Sequence, residues 1–229
     1  MDRMIYLAMN GAKQVMVAQS ANAHNLANVN TAGFRADLNH FRAMEQFGPG
    51  EASRVWSMSE RPGVDLSFGP MQQTGRELDI AVAGHGWLAV QAQDGSEAYT
   101  RAGDLRITPE GLLVTGAGHP VLGSGGPIAV PQAEKIEIGA DGTVSIRPVG
   151  QAATSLSEVD RIKLVNPEPE QLVKLGDGLL RLRDGGVANA DAEVRVTSGV
   201  VGSSNANSVE ALVNMIELAV RIEMPVKRQ

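Results

Sequence analysis

Cysteine is absent from the 229 residues. That excludes disulfides, thiol catalysis and cysteine-based zinc sites together, and leaves the redox compartment open. Aromatic side chains make up only 3%, so a core cannot be filled with large rings. No stretch approaches the roughly 18 consecutive apolar residues of a membrane-spanning helix, so membrane insertion is not expected. The first thirty or so residues lack a basic start followed by a solid apolar run, so no cleavable secretory signal is expected. No basic stripe is visible and the net charge is -6, which argues against nucleic acid as a partner. Composition alone reads as cytoplasmic.

What is present is 43% hydrophobic residues with 26 Gly and 11 Pro, the mix of a turn-rich β body built from Val, Leu and Ile. Three zones follow along the chain. In the first, Ile5, Met9, Ala12, Met16, Gln19, Ala23 and Leu26 are spaced 4, 3, 4, 3, 4, 3. All but Gln19 are apolar, which is a coiled-coil seam on a helix. Asp2 suits the positive end of its dipole, and the helix is expected to end around Asn28 to Asn30, with Thr31-Ala32-Gly33 as a turn. The last zone mirrors the first. Val209, Leu212, Ile216, Ala219 and Glu223 repeat the seam, Val213 and Val220 widen it, Ser208 is the expected N-cap, and Pro225 is expected to break or kink the helix near Met224.

Between these zones the period changes. Asp79–Val82, Trp87–Val90, Leu105–Ile107, Leu112–Val114, Ile136–Ile138, Thr143–Ile146, Ile162–Val165, Leu179–Leu182 and Val194–Val196 read as short strands. Turn signals such as Asp94-Gly95, Asp141-Gly142 and Asp177-Gly178 separate them. The expected fold class is therefore α+β, mainly β, with terminal helices flanking a turn-rich all-β body. The expected division is 1–44 (helix and turn, part of a helical assembly domain), 45–75 (extended arm or linker), 76–198 (β-rich body) and 199–229 (return segment and a helix pairing with the first). The rival arrangement, each helix packed on its own β domain, fits the pattern as well.

The terminal helix is marginal on its own. Gly11 and the asparagines at 22, 25, 28 and 30 are poor helix formers. Ordering costs about 1–2 kcal/mol per residue, against at most about 1.5–3 kcal/mol for each fully buried large seam side chain. Such a segment orders when a partner covers the seam, and head-to-tail mating surfaces would give an open helical filament.

Asn25-Leu26-Ala27-Asn28-Val29-Asn30-Thr31-Ala32-Gly33-Phe34 resembles the N-terminal signature of the flagellar rod and hook protein family. Further blocks follow in that family's order. They are Arg76–Val82 with Gly84, Gly86 and Trp87; Tyr99–Gly103; Gly111–Thr115 with Gly118, Pro120 and Val121; Asp141–Val144; and Ser204–Glu210 with Met215 and Ile216. The opening Met1–Tyr6 with Ala8 and Met9 is most similar to the proximal rod member, with the distal rod member next. Departures lie in the last turns, where Pro225 interrupts the helix and Val220 and Ile222 replace an Arg and an aromatic residue.

The resemblance implies a structural, non-enzymatic subunit of a helical tube. It implies partners among its own copies and other rod and hook-family proteins, export unfolded through the flagellar type III apparatus without a cleavable signal, and assembly in the periplasm. It also sets aside the cytoplasmic reading. The assembly residues it points to are the seams (Ile5, Met9, Ala12, Met16, Ala23, Leu26, Val209, Leu212, Ile216, Ala219) and the amides of Asn25 and Asn28. Gly33 is expected to supply a positive φ, and Phe34 to be a core anchor fixing the chain's exit from the helix.

Chemistry has weak support in the residues. His24, His40, His85 and His119 lack metal-ligand spacing, Gly84-His85-Gly86 lacks the third glycine of a dinucleotide fingerprint, and no Gly-x-Ser-x-Gly elbow occurs. No cofactor is expected. Arg76, Asp79 and Arg101 are candidates for a structural ion pair or a subunit contact. A lytic acid pair acting on peptidoglycan and a peptidoglycan-binding or adhesive β module remain the rival functions, and the second would leave both seams without a purpose.

Overall fold

In the computed structural model, residues 2–45, 55–148, 150 and 156–226 are described, with side chains described for 9–38, 63–148, 150 and 156–220. Two helices and a larger share of strand make the chain α+β and mainly β. It divides into a helical unit (Met1–Val29, Arg35–Asp65 and Ala206–Gln229) and a β unit (Asn30–Phe34 and Leu66–Asn205).

The helical unit holds α1 (Asp2–Ala27), α2 (Ser208–Val226) and a hairpin of β1 (Asp37–Glu45) with β2 (Val55–Val64). β1 and β2 pair antiparallel, with a register shift between Leu38 and His40. The segment read from sequence as an arm thus supplies β2. Polar residues break the alternation in both strands, and Pro62 and Gly63 lie inside β2, so the two-residue period that betrays a strand is missing. α1 packs along α2 and against both strands. The cap of α2 is Asn207 rather than the expected Ser208: its Oδ1 accepts the backbone N–H of Val209 at 3.0 Å and of Glu210 at 3.4 Å. Of the expected break or kink near Met224, the break is absent: α2 continues through Pro225 to Val226.

In the β unit a five-stranded antiparallel sheet runs, in spatial order, Leu164–Val165, Trp87–Gln91, Glu97–Thr100, Leu180–Leu182 and Leu172–Lys174. The strand Trp87–Gln91 is buried on both faces. Leu88 and Val90 enter one apolar cluster with Ile80, Leu105 and Val144, while Trp87 and Ala89 enter another with Tyr99 and Val165. Tyr99 is 1% exposed; its hydroxyl donates to Glu97 Oε1 at 3.0 Å and accepts the Ala188 N–H at 2.7 Å. Burial pushes its pKa up to about 12. A second, three-stranded sheet orders Ser157–Arg161, Thr143–Pro148 and Ala133–Ile138.

The unit's first strands pair with its last. Ile80–Ala83 lies antiparallel to Arg195–Ser198, and Met71–Gln73 to Val200–Gly202. Where the chain enters this unit for good it therefore lies hydrogen-bonded beside where it leaves.

Candidate functional site

The helical unit shows two distinct faces on each helix. Ala18 (3% exposed) and Ala21 (2%) are buried on α1, and Ala211 (6%) and Leu218 (8%) on α2. Positions 18, 21, 22 and 25 follow the spacing of one helical face. Within that stripe the Asn22 side-chain amide donates to the Ala211 carbonyl at 2.6 Å. Alanine lets two helix backbones approach closely, and an amide donor in the contact fixes the pair's register.

The seam residues read from sequence lie elsewhere. Each residue advances about 100° around a helix, so Met16 and Met9 point roughly opposite to Ala18, and Val209, Ile216 and Val220 roughly opposite to Ala211. Their exposures agree: Met9 62%, Met16 61%, Val209 67%, Leu212 50%, Val213 49%, Ile216 66% and Val220 51%. Ala23 and Ala219 are also exposed, and Ala12 and Leu26 half-buried. The side chain of Ile5 falls outside the described residues. The two helices thus meet through an alanine face, while the larger apolar side chains turn away from it.

Asn25 is engaged within its own chain. Its Nδ2 donates to the Asp37 carbonyl at 3.0 Å and its Oδ1 accepts the Asp37 N–H at 2.9 Å. The side-chain amide thereby imitates a strand partner at the first residue of β1. His24 Nδ1 lies 3.1 Å from the Asp37 carboxylate, and Asn28 Nδ2 donates to the His24 carbonyl at 2.9 Å, closing the last turn of α1. Arg35, 5% exposed, sits in the next segment; burial lowers its pKa to about 10, partly offset by Asp65. The Asp65 N–H donates to the Ala36 carbonyl at 2.9 Å and ties the hairpin's two ends together.

Gly33 belongs to the β unit. Its φ is +67°, and a Cβ there would sit 2.1 Å from the Ala102 backbone nitrogen. Positive φ and a backbone neighbour at that distance both demand glycine. Phe34 is half-buried and lies outside both apolar clusters, so it is not the core side chain that was expected. Its anchorage is of another kind: Lys174 Nζ rests 4.2 Å from the ring centroid, and the Phe34 carbonyl accepts the Asn205 N–H at 3.3 Å.

The candidate ionic group separates. Arg76 reaches Asp79 at 3.5 Å, and Asp79 is 2% exposed. Arg101 joins neither; it donates to the carbonyls of Gly86 and Gly84. Beside Asp79, burial raises the pKa of Asp104, and the charge of Asp79 adds to the rise. Among the described residues no group of three or more His, Asp or Glu could hold a metal, and no helix is long and apolar enough to cross a membrane.

Sequence reasoning passed over the alanine face and the Asn25 clamp. Positions 18, 21, 22 and 25 do carry the helical spacing, but two alanines and two asparagines give no hydrophobic signal.

Residues 81–146 match a family model described as the flagellar hook protein FlgE/F/G D1 domain. The sequence is similar to the flagellar basal-body rod protein FlgF of Salmonella typhimurium, at 44% identity over 99% of this chain and 92% of the relative. It is similar to the Escherichia coli protein of the same name to the same extent, 44% over 99% and 92%. With the flagellar basal-body rod protein FlgG of Bacillus subtilis it shares 32% identity over 79% of this chain and 74% of the relative.

Proposed function

The chain belongs to the FlgF family of flagellar basal-body rod proteins, structural subunits of the bacterial rod, and from that premise we propose that it polymerises through its terminal helices. The observation that carries this reading is the outward turn of the two seams. Met9 and Met16 on α1, and Val209, Leu212, Val213, Ile216 and Val220 on α2, keep half to two-thirds of their surface open although the helices are already paired. A contiguous apolar stripe of this kind marks an association surface. Covering it would return about 25 cal/mol for each Å² of apolar surface removed from water.

In this reading the partners are other copies of the chain and other rod and hook-family proteins, and the helices form the tube while the β unit supplies bulk and contacts. The subunit is proximal rather than distal, which the higher identity to FlgF than to FlgG supports. It leaves the cell through the type III export apparatus without a cleavable signal, assembles in the periplasm and performs no catalysis.

Ile216→Asp in the chromosomal copy tests the proposal. The expected result is exported subunit, non-motile cells and basal bodies with incomplete rods by electron microscopy, while the purified variant keeps the wild-type helix content. Motile cells with complete rods would overturn the role of the exposed seam.

A further inference from the structure

The chain passes between its two units four times, at 29/30, 34/35, 65/66 and 205/206. Inside the β unit the three stretches that make these passages are laced together. The Gly33 N–H donates to the Gly202 carbonyl at 2.8 Å, and the Asn205 N–H to the Phe34 carbonyl at 3.3 Å. The Ser203 N–H donates to the Pro70 carbonyl at 2.8 Å, and Asn205 Nδ2 to the Ser67 carbonyl at 3.3 Å. Gly69 lies so close that a Cβ there would meet the Ser203 carbonyl oxygen at 2.1 Å.

Among the side chains that touch the surroundings of this lacing from the body, Arg101 reaches furthest. Arg101 is 7% exposed. Its guanidinium lies 4.7 Å from the centroid of the Phe68 ring, in the stretch that follows the third passage, and 4.9 Å from that of Trp87, in the central strand. Its Nε donates to the Gly86 carbonyl at 3.0 Å and its Nη2 to the Gly84 carbonyl at 2.6 Å. Both acceptors stand in a turn of positive-φ glycines, at +74° and +130°. The backbone of Arg101 forms the floor under Gly33, whose Cβ would fall 2.2 Å from the Arg101 carbonyl carbon. One residue therefore contacts the first passage through its main chain, the third through a ring, and the core strand through a second ring. Only a flat cation with directed edge donors can rest on aromatic rings and reach two carbonyls together; an ammonium is a point charge on a flexible stem.

We propose that Arg101 is a positioning residue that locks the three linked stretches at fixed places in the β unit, over and above what it adds to that unit's stability. The test is hydrogen exchange on the full chain in solution, comparing wild type with Arg101→Lys and Phe68→Ala. The passage amides are those of Gly33, Ser203 and Asn205. The reference amides are Leu113, Val121 and Ile128, which bond to carbonyls within the body. In Arg101→Lys the passage amides are expected to exchange about tenfold faster or more while the reference amides hold their rates, which is local opening without global loss. Phe68→Ala, which removes a half-exposed ring and leaves the core intact, is expected to give a smaller acceleration in the same amides. A uniform acceleration of passage and reference amides would make Arg101 a stability residue only, and unchanged passage rates in both variants would equally overturn the proposal.

Discussion

The two units of this chain bury their apolar residues in very different ways. In the β unit, side chains such as Leu88, Val90, Leu105, Leu113 and Val144 reach 0% exposure, and two clusters fill both faces of one central strand. In the helical unit, the buried apolar side chains among the described residues are Ala18, Ala21, Ala211 and Leu218, while larger ones stand open. The β unit has what a domain needs to fold alone. Among its described side chains the helical unit has few large buried apolar groups, and on the proposed reading further burial comes from association.

That contrast is sharpest under truncation of a core residue. Leu88→Ala is expected to destabilise the β unit by about 2–5 kcal/mol in denaturant titration, because a fully buried leucine leaves a cavity. Asn25→Ala, in the helical unit, removes one partner from each backbone group of Asp37 and is expected to cost about 1 kcal/mol. The loss should show as faster exchange of the Asp37 amide, with the β unit's unfolding midpoint unchanged. Ile216→Ala, at a seam position 66% exposed, is expected to leave monomer stability within about 0.5 kcal/mol of wild type. A large loss there would mean that the seam is already covered within the monomer.

The smallest effect tests Asp104, a half-buried carboxylate of the β unit. Asp104 has its pKa raised by burial and by Asp79, so its charged form is disfavoured in the fold. Stability from this group is lowest at neutral pH and recovers as pH falls through its raised pKa and the group binds a proton. Asp104→Asn is therefore expected to raise the melting temperature slightly at pH 7. The gain should shrink toward zero as the pH is lowered to where the wild-type carboxyl is protonated. A gain that did not change with pH would assign the effect to packing.

The helices and several body strands were legible because their periods are strong. Two seams of spacing 3 and 4 marked α1 and α2, and Trp87-Leu88-Ala89-Val90 became a strand buried on both faces. The hairpin of β1 and β2 was not legible, since polar residues and Pro62 break its alternation. The cap of α2 moved by one residue, from Ser208 to Asn207, because either side chain can serve and only the local backbone decides between them. Phe34 was read as a core anchor from its type, yet a half-buried ring under Lys174 carries no sequence signal distinct from a buried one.

By itself the sequence determined that this chain has helical ends, a cysteine-free β body and, at position 33, a glycine suited to positive φ. These follow from local periodicity and from backbone sterics, which act over a few residues. Tertiary structure alone decided which helix face meets which. Alanines at 18, 21 and 211 are buried while larger seam residues such as Met16 and Ile216 are exposed, and small side chains let helix backbones come close. It also decided that Asn25 serves Asp37 and that Arg101 lies over Phe68 and Trp87. Such contacts join residues that are distant in the chain, and their energies depend on distances and angles that exist only once the strands have paired.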